Sequence, residues 1–440
     1  MMLIKSSKTN IAKRIHITRR EAAKNASALS FGLLFVLSFL VAFASLAVFP
    51  PLASASTWRG DTLLRQIELA PWRIGPFRIQ PQIVLSDFGY DSNIYYSPNA
   101  PGDYTLTAGP ALTSYISLKK KIVIALYESP RYVYYFQTAR ERSWNNYLRG
   151  NVHFLLNKFF ITLGYTNSDA RERWNYEIDI RPRRKENGYN GDILWQPTRK
   201  TSFSIGFRTV QYNYQVSEPS AFNIPETLNH REQYINASFF YQITGRTQAF
   251  AEVEYGSYNF QYPTNPRDSR SWAYYGGFNF STTGKIRGTV RLGYKIFDSI
   301  APTAPDFKGL VGNANVSFDI LRSLTLRGSY RRDVQFSSWQ SNFYIENTPG
   351  AGLSYYFLRR RFRLDYDYSQ TRYSYSRSES DLSSNINRET TSQSNSIGIY
   401  YRIGKKMGLG IRIGRLDIKA FYYNKSITRD FAGFNITYDF

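Results

Sequence analysis

The chain has 440 residues, a formal net charge of +23 and no cysteine, which excludes disulfide scaffolds, thiolate metal sites and cysteine nucleophiles. Aromatic residues make up 17% of the chain, although its mean hydropathy is −0.42. So many aromatic residues in a polar chain fit poorly with a compact core. They are typical of a membrane β-barrel, which has lipid outside, water inside and aromatic girdles at both interfaces.

Residues 1–55 are predicted to be an export signal. Basic residues extend to Lys24, an apolar run covers about 26–49, and Ala53 and Ala55 provide the small residues of a cleavage site. The run of roughly 22 residues is also long enough to span a bilayer as a helix, so a retained inner-membrane anchor is the alternative.

The segment 56–77 is predicted to be a short periplasmic lead. One or two helical turns in it would carry Leu63, Leu64 and Ile67. Beyond this lead, residues 78–440 contain strand-like segments of about ten to fifteen residues with turn signals between them.

Tight turns alternate with longer polar loops along this region. Tight turns are predicted at 119–121, 157–158, 197–200, 244–246, 282–285, 321–323, 359–361 and 404–406. Longer loops are predicted at 91–103, 138–143, 168–188, 215–230, 259–270, 299–307, 335–343, 374–391 and 424–429. Bacterial outer-membrane barrels have short periplasmic turns and long extracellular loops. The pattern therefore predicts an all-β fold, a transmembrane antiparallel β-barrel of about eighteen strands over 78–440.

The strand-like segments also predict which side chains face water. Successive side chains of a strand point to opposite faces. In residues 286–296, Ile286 and Leu292 share one face, whereas Arg287 and Arg291 share the other. An Arg or Lys on the lipid face would cost ~2–4 kcal/mol near the bilayer midplane, so the charged face is expected to line the lumen.

The predicted lumen residues are mainly basic. Rings of Arg or Lys raise the local concentration of anions and bias a pore toward them, so an anion-favouring lumen is expected. The basic members are Arg208, Arg287, Arg291, Lys295, Arg327, Arg331, Arg363 and Arg412, and the acidic members are Glu252, Glu254, Asp365 and Asp367.

Aromatic residues near the mouths have two interpretations. Trp144, Trp174, Trp272 and Trp339 are predicted to be girdle residues that anchor the barrel, and stacking on sugar rings is the alternative. The loop 168–188 is the best candidate for an inward fold, because it is long and rich in arginine.

No catalytic residue, metal site or cofactor is predicted. The chain lacks the Gly-x-Ser-x-Gly, phosphate-loop and His-Glu-x-x-His motifs. His153 is expected to be a polar lumen residue, although a barrel phospholipase or protease could use such a histidine, and His230 falls in a predicted outer loop. The acidic residues at 252/254 and 365/367 are about 7 Å apart within each pair, as glycoside hydrolysis would allow. Lumen ion pairs are the simpler interpretation.

The carboxyl terminus indicates the membrane. Phe434, Ile436, Tyr438 and Phe440 alternate with polar residues, which resembles the signal read by the barrel-assembly machinery of bacterial outer membranes. Outer-membrane lipid and lipopolysaccharide are the expected surroundings. Residues 1–55 carry +6 of the net charge, and the remaining +17 is spread through strands and turns rather than gathered in one arm. A nucleic-acid partner is therefore not expected.

Residues 75–83 and 90–99 resemble the first strand and loop of a beta-barrel porin family, whose members are often encoded beside exopolysaccharide assembly genes. The resemblance implies an outer-membrane pore for polymers delivered by a Wzx/Wzy-type pathway, with a periplasmic polysaccharide-export protein as partner. It implies no catalytic residues. We therefore expect a passive conduit for secreted exopolysaccharide. The alternatives are a general or solute-specific uptake porin, a filled structural or surface-binding barrel, and a sheath for a multihaem cytochrome.

Overall fold

The computed structural model describes residues 59–440 except 100, 174–176, 178–180, 216–222, 263–266, 281–283, 303, 338–341, 377–388 and 421–425. The predicted export signal lies outside the described residues. Within the described part of the chain, no helix has the length and apolar character needed to cross a membrane.

Strands make up most of the described chain, accompanied by short helical segments. The helices are α1 (Arg59–Glu68) and α2 (Ile224–Leu228), with a 3-10 turn at Ala139–Glu141. The strands are β1 (Trp72–Ile74), β2 (Phe77–Asp91), β3 (Asp103–Leu118), β4 (Ile122–Glu128), β5 (Arg131–Tyr135), β6 (Ser143–Leu156), β7 (Phe159–Arg171), β8 (Arg183–Trp195), β9 (Thr201–Gln215), β10 (His230–Thr244), β11 (Thr247–Phe260), β12 (Ser269–Phe280), β13 (Ile286–Ser299), β14 (Phe307–Leu321), β15 (Leu324–Phe336), β16 (Phe343–Phe357), β17 (Phe362–Tyr375), β18 (Glu389–Ile403), β19 (Met407–Lys419) and β20 (Ile427–Asp439).

The sheet closes on itself as an antiparallel barrel of eighteen strands, as predicted. Each strand pairs with its neighbours in chain order, and β2 pairs with both β3 and β20 to close the ring. The short β1 pairs with β2 outside the ring. β4 and β5 count as one strand, because both pair with β3 and with β6.

The break between β4 and β5 follows from local chemistry. It falls at Ser129 and Pro130, and proline has no N–H to donate to a neighbouring strand. Opposite the break, a Cβ placed on Gly109 would lie only 2.0 Å from the Pro130 carbonyl oxygen. Glycine therefore lets the interrupted strand approach β3 closely.

The predicted turns and loops fall at opposite ends of the barrel. Seven of the eight predicted tight turns connect paired strands, and the eighth, 282–285, lies partly outside the described residues. The turn at Lys119 and Lys120 has φ values of 49° and 55°, the left-handed geometry that suits a two-residue hairpin. By analogy with bacterial barrels, the turn end is the periplasmic end.

One predicted loop is shorter than expected. Instead of spanning 168–188, the connection between β7 and β8 covers only residues 172–182. Arg183 Nε lies 2.6 Å from Asp169 Oδ1 across this hairpin, and Lys185 Nζ lies 3.8 Å from Asp169 Oδ2. These ion pairs accompany strand pairing in a segment whose polarity alone indicated a loop.

The outer face carries the exposed apolar side chains expected of a lipid-facing wall. Ile205, Leu292 and Leu163 are all more than half exposed on this face. Phe434 and Tyr438 of β20 lie on the same face, while β20 bonds to β2 and β19. The barrel therefore presents an apolar band to its surroundings. Along each strand, the charged residues alternate with the apolar residues of this band and lie on the opposite face.

Candidate conduction pathway

All twelve predicted lumen residues occupy the inner face of the barrel. Each alternates along its strand with residues of the apolar outer face, as Arg291 does with the exposed Leu292 and Arg208 does with the exposed Phe207. The strand register brings these inner residues together in rows across neighbouring strands.

The first row joins β11, β13 and β15. Arg291 Nη2 bonds to the Glu252 carboxylate and lies 3.8 Å from Glu254 Oε2. Lys295 Nζ, which is almost fully buried, lies 3.0 Å from Asp333 Oδ1. The Glu252/Glu254 pair thus holds a guanidinium between its carboxylates, which is an ion-pair arrangement.

The second row joins β15 and β17. Arg327 Nη2 lies 2.6 Å from Asp367 Oδ1, and Arg327 Nη1 lies 3.6 Å from Asp365 Oδ1. Arg363 Nε lies 2.8 Å from the other Asp365 oxygen. Both acidic pairs singled out in the sequence are therefore compensated by arginine.

Asp319 and Asp333 are inner acids that sequence reasoning missed. Asp319 Oδ2 lies 2.6 Å from Arg287 Nη1, and Asp333 pairs with Lys295. Both acids lie on the inner face, and the same alternation that identified Arg327 would have identified them. Five of the eight predicted lumen cations therefore have a carboxylate within 4.0 Å.

The remaining three cations, Arg208, Arg331 and Arg412, form no ion pair within the described part of the barrel. The Arg208 guanidinium lies 4.5 Å from the Tyr234 ring centroid. Arg412 Nη2 donates to Ser396 Oγ at 2.9 Å. Three of the eight predicted lumen cations are thus without an ion-pair partner among the described residues.

The two histidines of the barrel have ordinary polar and aromatic partners. His153 faces inward, 3.0 Å from Thr162 Oγ1. His230, predicted in an outer loop, instead begins β10, where it is buried between the rings of Tyr212 and Phe260. No group of three His, Asp or Glu residues suited to a metal ion occurs among the described residues.

The periplasmic end is narrowed by α1. Ile67 of this helix is only 4% exposed and packs in one cluster with Val123, Leu155, Phe160 and Leu194 of the inner wall. Leu63 and Leu64 lie against the same cluster. The sequence predicted these helical turns but not their docking inside the barrel.

The extracellular end carries the connection between β7 and β8, residues 172–182, of which 172, 173, 177, 181 and 182 are described; we call this connection the strap. Ser337 Oγ donates to Glu177 Oε1 of the strap at 2.8 Å, and Arg267 Nε donates to the Ser337 carbonyl oxygen at 3.1 Å. All three residues are buried. Burial lowers the pKa of the Arg267 guanidinium, and the Glu177 carboxylate opposes this shift.

The strap, through Glu177, contacts a distant part of the ring. It leaves the wall between β7 and β8, whereas Ser337 follows β15, eight positions further around the ring of eighteen. On its way, Arg173 Nη2 donates to the Tyr96 carbonyl oxygen at 3.2 Å. The inward fold expected of this loop is therefore present in its described residues.

An aromatic cluster fills the mouth on one side of the strap. Pairing between β14 and β15 ends at Gly312 and Arg332, and the end of β15 then turns inward. Phe336 at that end contacts the rings of Tyr258 and Phe297, with centroids 5.0 and 5.7 Å apart. Buried Tyr275, Phe307, Val311, Val334 and Phe343 complete this cluster.

The sequence of β19 contains an apparent irregularity. Its apolar residues change faces near Gly414, a pattern that suggests a bulge, but the pairing with β18 and β20 is continuous. Leu416 and Ile418 pack inward, and Arg415 and Asp417 pair on the outside. The pairing is therefore regular, and the apolar residues change faces because the wall beyond the lipid band faces water.

Two of the four predicted girdle tryptophans lie in the described residues. Trp144 is 61% exposed on the outer face and contacts the Tyr132 ring, with centroids 5.1 Å apart. Trp272 contacts the Tyr255 ring at 5.0 Å, also on the outer face. Trp174 and Trp339 lie outside the described residues.

The docking of α1 can be tested with one pair of variants. Ile67→Ala should remove ~2–5 kcal/mol of packing energy and release the helix, so trypsin should cleave faster at Arg65 and single-channel conductance should rise. Leu69→Ala is the matched control, because Leu69 is 82% exposed. Equal cleavage rates in the two variants would contradict a docked helix.

The strap can be tested by shortening. Replacing 172–182 with Asn-Gly, which suits a two-residue hairpin between the paired Arg171 and Arg183, should raise conductance about twofold or more if the strap limits the pore. Loop 300–306 is the control, because its described hydrogen bonds include those from Ser299 at the end of β13 and one to the Asp268 carbonyl oxygen of the adjacent loop. Unchanged conductance would show that the strap does not limit flow.

A comparison with solved structures finds similar chains. The outer membrane protein OpdK from Pseudomonas aeruginosa is 11% identical, with 82% of this chain and 98% of that chain covered and a TM-score of 0.49. OccAB3 from Acinetobacter baumannii is 10% identical, with 82% and 99% covered and a TM-score of 0.48. A search of curated proteins gives no match.

A match to a protein-family model identifies the family of this chain. The model described as "Putative beta-barrel porin 2" matches residues 202–438, which is more than half of the chain. The match agrees with the resemblance of the first strand and loop, which lie outside the matched residues. The chain therefore belongs to the "Putative beta-barrel porin 2" family and is a porin-like barrel of the outer-membrane type.

Proposed function

We propose that the chain is an anion-favouring outer-membrane conduit that exports a secreted exopolysaccharide. The observation that carries this proposal is the chemistry of the inner wall from β14 to β19. A recess of about 370 Å³ there is lined largely by hydroxyl, amide and guanidinium groups. Its polar lining includes Asn315, Ser317, Ser329, Ser369, Ser394, Ser396, Arg327, Asp367 and Arg412.

Such a wall suits a hydrated polymer of sugars. Serine and asparagine side chains both donate and accept hydrogen bonds, so they can exchange bonds with successive sugar hydroxyls. No chemical step is needed, and pore width, wall polarity and lumen charge control passage. Arg208, Arg331 and Arg412, which form no ion pair among the described residues, would attract the anionic groups of the polymer.

The two constrictions suggest a conduit that opens on demand. α1 lies at the end that faces the periplasm, so a periplasmic polysaccharide-export protein would meet it first. Such a partner could displace α1 and set the direction of polymer transport, while the barrel provides the pore. Basic residues at the membrane surface would bind lipopolysaccharide phosphates, and the strand ending at Phe440 would present the assembly signal.

Two other functions remain as alternatives. The family description as a porin favours solute uptake, and the aromatic cluster and buried strap favour a filled structural barrel. An uptake porin would admit a nutrient, whereas a filled barrel would carry no current.

Charge selectivity can be measured on the refolded chain from residue 56 onward in planar bilayers. We expect an anion-favouring reversal potential, which Arg208→Gln, Arg331→Gln and Arg412→Gln together should shift toward cations, because lumen cations concentrate anions. Lys119→Gln, Lys120→Gln and Arg199→Gln remove the same charge from exposed turns and should have no such effect.

The outcomes of that measurement separate the alternatives. A cation-favouring current would contradict an anion conduit. A folded but silent barrel that stays silent after strap removal and in the Ile67→Ala variant would favour the filled, structural interpretation.

Export and uptake make different genetic predictions. Deleting the gene should abolish secreted exopolysaccharide without slowing growth on single carbon sources, and the wild-type gene should restore secretion. Secretion measured as total extracellular uronic acid and neutral sugar is the readout. Normal secretion with slow growth on one solute would instead support an uptake porin.

A further inference from the structure

The strap borders a recess on the side of the mouth that the aromatic cluster leaves open. The recess measures about 440 Å³ and is lined by residues of β2, β3, β5, β20 and the strap itself. A volume of this size falls within the range of about 300–1,000 Å³ typical of small-molecule sites. Four arginines line it, namely Arg131, Arg173, Arg181 and Arg429.

Two of these arginines are fixed by tyrosine and aspartate. Arg429 Nε donates to both Asp91 oxygens, at 3.0 and 2.9 Å, and Arg429 Nη1 donates to the Tyr96 hydroxyl at 2.8 Å. The Arg173 guanidinium lies 4.5 Å from the centroid of the same Tyr96 ring. Tyr96 therefore ties the strap to β20 and holds both guanidiniums at the recess.

The other two arginines carry charge that no described carboxylate offsets. Arg181 lies 4.6 Å from the Tyr135 ring centroid, and its Nη2 donates to the Arg171 carbonyl oxygen at 3.0 Å. Its Nη1 is buried and has no hydrogen-bond partner among the described residues. Arg131 Nε donates to Ser129 Oγ at 3.1 Å. Within the described residues, neither guanidinium has a carboxylate within 4.0 Å.

The acidic residues of the recess are mostly occupied. Asp91 is engaged by Arg429, and Glu172 Oε1 lies 3.1 Å from Arg184 Nη2. Asp87, at the bulge of β2, is the remaining acid in the lining. The arginines therefore keep an excess of positive charge at the recess, next to tyrosine rings.

We infer that this recess is a subsite for the carboxylate of an acidic sugar unit at the outer end of the pathway. The inference rests on the proposed function and names its substrate class. A planar guanidinium binds a carboxylate through two parallel hydrogen bonds, and Arg181 and Arg131 supply such groups. Tyr96 and Tyr135 supply the flat apolar faces and hydroxyls that a pyranose ring contacts.

The position of the recess gives the subsite its role. The aromatic cluster occupies the β10–β16 side of the mouth, whereas the recess is lined by β2, β3, β5 and β20. A polymer leaving the barrel would pass the recess. Binding each acidic unit there in turn would favour polymers that carry carboxylates over neutral polymers of the same width.

The test is equilibrium binding to the refolded barrel in detergent, which does not require an open pore. Isothermal titration with hexagalacturonate, an acidic oligosaccharide, is compared with titration with maltohexaose, a neutral one of equal length. The wild-type protein should bind the acidic oligosaccharide about tenfold or more tightly, and the double variant Arg131→Gln, Arg181→Gln should lose at least about tenfold of that affinity.

A protein with Arg199→Gln and Arg322→Gln is the matched control. It loses the same charge from two exposed turns at the other end of the barrel. It should change the affinity less than about twofold, if the recess rather than overall charge binds the sugar. A heat-modifiability shift on gel electrophoresis verifies that each variant is folded.

Each outcome bears on the inference separately from the proposed function. Equal losses in the double variant and the control, or equal binding of the two oligosaccharides, would overturn the subsite. Selective binding that the double variant loses supports it, even if the barrel proves silent in bilayers. An anion-favouring current without selective binding would support the proposed conduit and contradict the proposed subsite.

Discussion

Everything in this molecule depends on the pairing of β2 with β20. A backbone N–H or C=O left unpaired in hydrocarbon costs several kcal/mol, so a sheet can cross a membrane only when it has no free edge. The first and last long strands meet from Gln82 to Asp91 against Phe431 to Asp439 and remove both edges at once. Closure also creates an inner surface. Charged and hydroxyl side chains line this surface, and α1 and the strap lie against it at its two ends.

The strands of the barrel wall could be predicted from the sequence, but the contacts of α1 and the strap inside the barrel could not. Strand number follows from local signals, because alternation and turns act over a few residues. Alternation also identified the inner arginines, although Asp319 and Asp333 escaped notice. The strap contact could not be predicted in this way, because Glu177 and Ser337 are 160 residues apart and only the closed ring brings them together.

The extracellular end shows why local rules stop working where the solvent changes. In the lipid band the outer face is apolar, and beyond it the same strands turn their apolar side chains inward, as Leu416 and Ile418 do. The many polar residues near Asp169 and Lys185 therefore suggested a loop, although the strands continue there. Reading such a barrel from sequence requires the position of the membrane boundary as well as the strand period.

The tether of α1 has a kinetic consequence. Only residues 69–71 separate the helix from β1, which is paired to β2 at the rim. A released helix cannot diffuse away, and a short linker keeps its effective concentration near the mouth on the order of millimolar. If α1 is displaced as proposed, its rebinding is thus an intramolecular event, and the barrel returns to its narrowed state once the displacing partner departs.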